Sequence, residues 1–250
     1  MKKIIFAALL VLLVAAPAMA KVTFTLPNDF TRDDFQSLTR DTGLAISYVP
    51  LAPAEPLGGG ILPHADLGVE FTGAQINSEA DYFTRAVNNP NDLPNILPEF
   101  KAHAQVGLPV IPIDLGIVYG TVPATDIKLI GYELKYAVLK GGLVMPAVAI
   151  RGAYTKLSGV DAFDISTRSL DISISKGIAI LTPYAGVGNV WISGKAKTAT
   201  SFFPDGFEAD SRQMKSFVGI KLGLGLVNFV GEADFSRVVN EYSARMNLHF

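Results

Sequence analysis

Cysteine is absent from all 250 residues, which excludes disulfide frameworks, thiolate metal sites, iron–sulfur clusters and cysteine nucleophiles. Charged residues make up only 18% of the chain, below the roughly 25% typical of soluble domains, and the formal net charge is −2. Without a basic excess, nucleic acid is not an expected partner. No long apolar run follows residue 20, so no membrane-spanning helix is predicted. The 49% of apolar residues must therefore fill a core or face lipid from strands.

Residues 1–20 have the three parts of a secretory signal peptide. Lys2 and Lys3 form the positive region, residues 4–16 are unbroken apolar sequence, and Ala18-Met19-Ala20 is a small-x-small cleavage site. Pro17 ends the apolar run short of the about 20 residues that a spanning helix needs. We predict secretion with cleavage after Ala20, which leaves 250 − 20 = 230 residues.

The C-terminal residues alternate strictly between two faces. One face is apolar or aromatic (Tyr242, Ala244, Met246, Leu248, Phe250) and the other is polar (Glu241, Ser243, Arg245, Asn247, His249). This segment resembles the terminal strand of bacterial outer-membrane β-barrels, in which a C-terminal Phe follows apolar residues at alternate positions. The resemblance implies that the barrel assembly machinery recognises Tyr242, Met246, Leu248 and Phe250, and that the protein resides in the outer membrane.

Similar alternation recurs along the chain in segments of about ten residues, the length that a tilted strand needs to cross a bilayer. Counting back from Phe250 gives ten strands, the first near Asp66, with short and long connections in turn. Because lipid offers no hydrogen bonds, such strands must close into a barrel. The sequence therefore predicts an all-β fold, an antiparallel up-and-down transmembrane β-barrel over residues 65–250. A secreted β-sandwich is the alternative, and it would bury the same apolar faces in a core.

Residues 21–64 do not alternate, and we predict a short helical and irregular segment there. Thr31 and Asp34 match a capping box at a helix start, and Gly43 is a candidate helix end. Residues 47–60 are rich in Pro and Gly and cannot form a central strand. Two interpretations stay open, a periplasmic linker or a plug in the lumen. A further alternative pairs residues 22–26 and 44–49 as two more strands, making twelve.

The entry to the first strand carries a second resemblance. Leu44 to Tyr48, Pro53-Ala54 and Asp66-Leu67-Gly68 together resemble the entry region of the long-chain fatty-acid transporter family, in which a Pro-Ala motif lies between a hatch and the first strand. Ala52 stands where that family has Asn, and ten strands replace fourteen. Leu51–Gly58 with the following strand is also similar to an uncharacterised group of outer-membrane barrels without an assigned activity.

The inward faces of the predicted strands carry a polar network. Its members are Glu70, His103, Asp114, Glu133, Lys135, Arg151, Asp171, Lys215, Lys221, Glu232, Asp234, Glu241 and Arg245. With Lys101, the charged members are seven acids and six bases, which lacks the dominant sign of an ion-selective pore. The alternatives are a network of salt bridges that fills a narrow barrel and a polar conduit gated by the N-terminal segment.

No catalytic, metal or cofactor site is predicted. The chain has only His64, His103 and His249, and no serine lies in a nucleophile context that an outer-membrane lipase would need. Asp205, Glu208 and Asp210 cluster in one predicted loop, but their spacing lacks the EF-hand pattern for calcium. We therefore do not expect an enzyme.

Two functional hypotheses remain from the sequence. The first is a passive channel or transporter for small molecules, with a hydrophobic ligand suggested by the transporter resemblance. The second is a structural or interaction barrel that uses loops at Ile76–Leu97 and Ser193–Ser211, the latter with Phe202, Phe203 and Phe207, to contact a partner. Outer-membrane lipid and lipopolysaccharide are the expected surroundings in both cases.

Overall fold

The computed structural model describes residues 21–59, 61–202 and 206–250. The predicted signal peptide and its cleavage site lie outside these residues. Two α-helices precede and follow the first strand, α1 (Arg32–Ala45) and α2 (Asp81–Ala86), with a short 3₁₀ helix at Pro90–Asp92. The strands are β1 (His64–Gln75), β2 (Ile96–Gly107), β3 (Ile113–Thr121), β4 (Lys128–Lys140), β5 (Ala147–Ser158), β6 (Phe163–Ser175), β7 (Leu181–Ala196), β8 (Phe207–Leu224), β9 (Val227–Ser236) and β10 (Asn240–His249).

The ten strands form a closed antiparallel barrel in which each strand pairs with its neighbours in sequence and β1 pairs with β10. In the closing pair, Asp66 lies opposite His249 and Gln75 opposite Asn240. The backbone of Phe250 exchanges two hydrogen bonds of 2.9 and 3.0 Å with Ala65, so pairing continues to the last residue. The predicted ten-stranded barrel is confirmed. The twelve-stranded alternative is wrong, because residues 44 and 45 are helical and residues 22–26 form only an isolated bridge.

The connections divide the barrel into two different ends. At one end, here called the short-turn end, lie residues 108–112, 141–146, 176–180 and 225–226, together with the chain terminus. At the other, the loop end, lie residues 76–95, 122–127, 159–162, 197–202 and 237–239, while Phe203 lies outside the described residues. The predicted loop at Ser193–Ser211 is therefore shorter than expected. Phe207 belongs to β8 instead, and its ring centroid lies 6.0 Å from that of Phe35 inside the barrel.

The outer surface of the barrel is apolar. Leu134, Ile172 and Val218 are about half exposed, with relative exposures of 50%, 49% and 52%. A soluble sandwich would bury these side chains between two sheets, whereas a closed sheet with an apolar exterior and polar interior is the architecture of outer-membrane barrels. None of the helices in the described parts of the chain has the length and apolar character to cross a membrane.

Helix α1 begins as the sequence predicts and ends later. The Thr31 hydroxyl accepts a hydrogen bond from the Asp34 N–H (3.2 Å), and the Asp34 carboxylate accepts one from the Thr31 N–H (3.0 Å). The helix continues past Gly43 to Ala45, so the predicted stop is wrong. Gly43 is needed for packing instead, because a Cβ there would lie 2.3 Å from the Ile192 side chain.

Candidate functional site

Residues 22–59, here called the lumenal segment, run through the barrel from one end to the other. At the loop end, the Val22 N–H donates to the Ala124 carbonyl (2.8 Å). Midway, the Tyr48 N–H donates to the Thr155 hydroxyl on the inner face of β5 (2.8 Å). At the short-turn end, the Gly59 N–H donates to the Leu108 carbonyl (2.9 Å). The segment therefore occupies the whole length of the lumen and is not a linker outside it.

The part of the segment nearer the loop end forms an apolar core with the barrel wall. Phe35 and Leu38 of α1 are fully buried and pack among inward side chains of β6 and β7 that include Phe163 and Ile192. The ring centroids of Phe35 and Phe163 are 6.3 Å apart. The inner face near the loop end is thus apolar, which the prediction of a polar lumen did not include.

A row of four charged residues crosses the inner wall below this core. Asp114 on β3, Lys135 on β4, Arg151 on β5 and Asp171 on β6 are direct cross-strand neighbours, in that order. The Lys135 ammonium lies 3.0 Å from Asp114, and the Arg151 Nε lies 2.6 Å from Asp171. All four are buried. We call these residues the anchor row, because Asp114, Lys135 and Arg151 also bind the lumenal segment.

Lys135 and Asp114 hold the backbone of the segment near the short-turn end. The Lys135 ammonium donates to the carbonyls of Pro53 (3.2 Å) and Glu55 (2.8 Å). The Asp114 carboxylate accepts from the N–H groups of Leu57 (2.9 Å) and Gly58 (2.8 Å). The ion pair thus supplies donors and acceptors to a stretch of backbone that makes no regular secondary structure.

Arg151 holds the segment farther from the short-turn end. Its Nη1 donates to the carbonyls of Pro50 (2.5 Å) and Ala52 (3.0 Å). The guanidinium also lies over the Phe217 ring, 4.5 Å from the centroid. Proline has no N–H and cannot join a sheet, so carbonyls in this Pro-rich stretch need another partner. The guanidinium, with five donors and no acceptor, supplies one for two of them.

Two glycines allow the segment to leave the barrel at the short-turn end. A Cβ on Gly107 would lie 2.1 Å from the Gly58 nitrogen, and a Cβ on Gly58 would lie 2.5 Å from the Leu108 carbonyl oxygen. Both obstructions are backbone atoms, which cannot rotate away as a side chain would. The two backbone segments therefore pass each other only because neither residue carries a side chain.

The wall formed by β1, β2 and β10 carries a second group of charges. Glu70 lies between Lys101 and Arg245 in the strand register, and Lys101 lies 2.7 Å from Glu99. Both carboxylate oxygens of Glu70, although buried, lack a hydrogen-bond partner among the described residues, as does Oε1 of Glu241. Buried carboxylates normally have partners, so we expect water beside this wall.

All of the residues predicted for the polar network lie on the inner face of the barrel. Arg245 Nη1 lies 3.2 Å from Nδ1 of His103, and His103 Nε2 lies 3.7 Å from Glu133, so the histidine belongs to this network. Lys221 is less buried than the others and lies 4.0 Å from Glu55. The other members are Glu70, Asp114, Lys135, Arg151, Asp171, Lys215, Glu232, Asp234 and Glu241.

Two buried acids were missing from the predicted charge balance. Glu99 is fully buried on β2, and Asp66 on β1 accepts a hydrogen bond from the Asn247 amide (2.7 Å). Glu99 lies two residues after Leu97, the end of the predicted loop at Ile76–Leu97, and it shares the inward face of β2 with Lys101. Including both, the described inner face has 7 + 2 = 9 acids against six bases. The near balance of charge that the sequence suggested is therefore wrong.

The residues of the predicted assembly signal lie on the outer face of β10 or just beyond it. Tyr242, Leu248 and Phe250 are exposed, whereas Met246 is half-buried. Of the candidate calcium ligands, Asp205 lies outside the described residues. Glu208 instead lies 3.3 Å from the Lys195 ammonium, and Asp210 accepts a hydrogen bond from the Ser193 hydroxyl (2.6 Å).

Helix α2 and the start of the lumenal segment cover the barrel at the loop end. The Tyr82 hydroxyl donates to Asp41 Oδ2 (2.5 Å), and Arg40 Nε donates to Oδ1 of the same carboxylate (2.5 Å). Burial and the bond to Asp41 raise the pKa of Tyr82 to about 12. Arg85 forms a similar contact with Asp34 (2.8 Å). Partial burial acts to raise the pKa of Asp34, but hydrogen bonds from Thr31 and the charge of Arg85 outweigh it, so the pKa is lowered.

Comparisons with known proteins find similarity only to solved structures. No protein-family model matches the chain. No curated protein matches it either. Among solved structures, the attachment invasion locus protein Ail of Yersinia pestis, solved with the heparin analogue sucrose octasulfate, is 7% identical, with a TM-score of 0.35 over 75% of this chain and 99% of that one. The resemblance to fatty-acid transporters is not shown by these comparisons.

Two other structures are similar to the same extent. The N-terminal β-barrel domain of OprF from Pseudomonas aeruginosa is 10% identical, with a TM-score of 0.37 over 74% of this chain and 97% of that one. The translocator domain of the autotransporter NalP from Neisseria meningitidis is 8% identical, with a TM-score of 0.40 over 75% and 88% of the two chains. Such low identities and scores carry no argument about function.

Proposed function

We propose that this protein is an outer-membrane barrel that is closed at rest by its lumenal segment and lets small solutes pass when that segment withdraws. The short-turn end faces the periplasm, and the loop end faces the outside, as is usual for bacterial barrels. The observation that carries the proposal is the course of residues 22–59 through the entire lumen, held by the anchor row.

The connectivity of the segment favours withdrawal toward the periplasm. Its C-terminal end continues into β1 at the short-turn end, whereas the loop end holds it by non-covalent contacts. These include the hydrogen bond from Val22 to Ala124, the bridge between Phe24 and Val87, and the pairs Tyr82–Asp41 and Arg85–Asp34. A segment that leaves through the short-turn end therefore stays attached to β1. Movement in the opposite direction would require residues 61–63 to cross the barrel rim.

The contacts in the half of the lumen nearer the short-turn end support a removable plug. There the anchor row binds backbone carbonyl and N–H groups, and water can replace those hydrogen bonds once the segment leaves. The wall that the segment would uncover has nine acids and six bases, including Glu70 with no hydrogen-bond partner among the described residues. A polar passage with excess carboxylates favours cations over anions. The solutes expected are thus small and polar or cationic.

The decisive experiment loosens the plug without changing the charge of the lumen. The double variant Asp114→Asn/Lys135→Met removes one acid and one base that both contact the segment. In planar lipid bilayers, wild-type protein should be closed and the double variant should conduct, with a preference for K⁺ over Cl⁻. Reversal potentials in a salt gradient measure that preference.

A matched pair elsewhere on the wall provides the control. Glu99→Gln/Lys101→Met also removes one buried ion pair, but Lys101 contacts Glu99 and Thr72 rather than the lumenal segment. This variant should remain closed. Equal conductance of the two variants, or no conductance from either variant when folded, would refute a plug held by the anchor row.

A second candidate function, an interaction barrel, is favoured by the composition of the loop end. The start of the lumenal segment, α2 and residues 197–202 form one packed surface, in which the Thr200 hydroxyl donates to the Phe30 carbonyl (3.3 Å) and Phe202 is 52% exposed. An ordered surface with an exposed aromatic side chain suits a partner outside the cell. Protection of this surface from protease on intact cells, in both variants above, would favour this function over transport.

A further inference from the structure

Two arginines face outward where the apolar band of the barrel meets its polar rim. Arg168 on β6 and Arg212 on β8 lie on either side of Trp191 on β7, and each is its direct cross-strand neighbour. Toward the loop end, the same outer face is polar, with Ser166, Ser193 and Asp210. Toward the short-turn end it becomes apolar, with Leu170 (52% exposed), Val187 (45%) and Met214 (69%). The three residues therefore mark a membrane interface.

Most of the donor capacity of these arginines is unused by the protein. Arg168 is exposed and makes no hydrogen bond or ion pair with any described residue. Arg212 donates from Nε to Asn189 (3.1 Å), and its guanidinium lies over the Trp191 ring, 5.4 Å from the centroid. The remaining N–H groups of both side chains are free to bind a ligand. A charged group this close to lipid is unfavourable unless it finds a partner of opposite charge.

The surroundings form an open groove of about 510 Å³ on the outside of the barrel. Its lining also includes three serines, Ser166, Ser193 and Ser211, and the acid Asp210. Asp210 accepts a hydrogen bond from the Ser193 hydroxyl (2.6 Å) and forms no ion pair with either arginine. Two cations against one acid leave the groove with a net positive charge, so an anion is the complementary ligand.

We propose that this groove binds the phosphate group of a phosphorylated glycolipid in the outer leaflet. A guanidinium binds phosphate through paired N–H donors, and two of them here face one opening. Trp191 provides an apolar face at the depth of the lipid headgroup. Below it, Leu170 and Met214 offer apolar surface to acyl chains, which a soluble anion would not use. The inference depends on the proposed membrane orientation but not on withdrawal of the lumenal segment.

Trp191 is the only tryptophan in the chain, so it reports directly on the groove. We would titrate the folded protein in detergent micelles with a bisphosphorylated glucosamine disaccharide lipid, the same lipid without phosphates, and inorganic phosphate. The emission of Trp191 should respond to the phosphorylated lipid at a concentration at least about tenfold lower than to the dephosphorylated one, a difference of about 1.4 kcal/mol.

Because Arg212 contacts the indole, the variants need a second measurement that does not depend on fluorescence. Native mass spectrometry counts lipids bound to Arg168→Ala/Arg212→Ala and to a control, Lys128→Ala/Lys140→Ala, which loses two positive charges at exposed strand ends. The arginine variant should lose the tight phosphorylated lipid, and the lysine variant should keep it. Conductance of the Asp114→Asn/Lys135→Met background should be the same with and without the arginines, which separates this proposal from gating.

Three results would overturn the proposal. One is equal affinity for the phosphorylated and dephosphorylated lipids. Another is an arginine variant that binds the phosphorylated lipid as tightly as the lysine variant does. The third is saturation by inorganic phosphate as strong as by the lipid, which would assign the groove to a free anion instead.

Discussion

Replacing Arg151 with methionine tests the energetics of the anchor row. The change removes hydrogen bonds to the carbonyls of Pro50 and Ala52 and the 2.6 Å ion pair with Asp171, while the methionine roughly preserves the apolar stem. Asp171 would remain buried with its nearest charge partner gone. Breaking one side of a buried ion pair costs about 3–5 kcal/mol. The Pro50 carbonyl keeps a hydrogen bond from the Ala52 N–H (2.7 Å), and the Ala52 carbonyl adds up to about 1–3 kcal/mol where water does not replace the donor.

The assay is urea unfolding in lipid vesicles, followed by the heat-modifiable mobility of the folded barrel on gels. Arg151→Met should lower the free energy of unfolding by at least about 3 kcal/mol. Adding Asp171→Asn should restore about 1–3 kcal/mol, because the uncompensated charge is removed. Arg168→Met is the matched control, since this outward arginine near the interface should change stability by only about 0–1 kcal/mol. Similar losses for Arg151→Met and Arg168→Met would refute the assignment of Arg151 to the lumen.

Three further predictions follow from other parts of the barrel. Gly107→Ala should cost about 1–3 kcal/mol in the same urea assay, because its Cβ would meet backbone, whereas Gly231→Ala, with nothing within 4 Å, should be close to neutral. Tyr82 should ionise with a pKa of about 12, as the absorbance difference from Tyr82→Phe would measure, so its stabilising contribution is complete below pH 10 and is lost as the pH rises through 12. Met246→Arg should reduce the fraction of folded barrel on gels more than Asn247→Arg does, because residue 246 faces lipid and residue 247 faces the buried Asp66 carboxylate. Equal losses of the folded band would contradict that.

The barrel could be predicted from sequence because period-two alternation is a local property. Each strand pleat places successive side chains on opposite faces, so the terminal strand ending at Phe250 already separates outward from inward residues. The start of α1 was equally local, since Thr31 and Asp34 bond to each other. The first residues of β8, Phe207–Ser211, were assigned to a loop for a physical reason. This part of the strand extends toward the loop end beyond the apolar band, and its outward residues, such as Asp210, are polar.

The course of the lumenal segment could not be predicted, because no local pattern encodes it. Its anchors join residues far apart in sequence, such as Arg151 and Pro50. They also bind backbone carbonyls, which every residue has. The Pro-rich composition excluded a strand and left the location open. The close passage of Gly58 and Gly107 likewise becomes evident only when the two backbones are seen together.

The most direct test of a withdrawing plug is a reversible lock at the loop end. Phe24 and Val87 form an antiparallel bridge in which the Thr25 N–H donates to Ala86 and the Asn88 N–H to Thr23, so they are a non-hydrogen-bonded pair. Such pairs have Cα atoms about 4.5 Å apart, which a disulfide can bridge. Because the chain has no cysteine, Phe24→Cys/Val87→Cys introduces the only thiols.

The measurement is bilayer conductance of this cysteine pair in the Asp114→Asn/Lys135→Met background, before and after reduction with dithiothreitol. The oxidised protein should be closed because its segment cannot leave the lumen, and the reduced protein should conduct. The same current in both redox states, with the disulfide verified by mass spectrometry, would contradict gating by withdrawal of the lumenal segment.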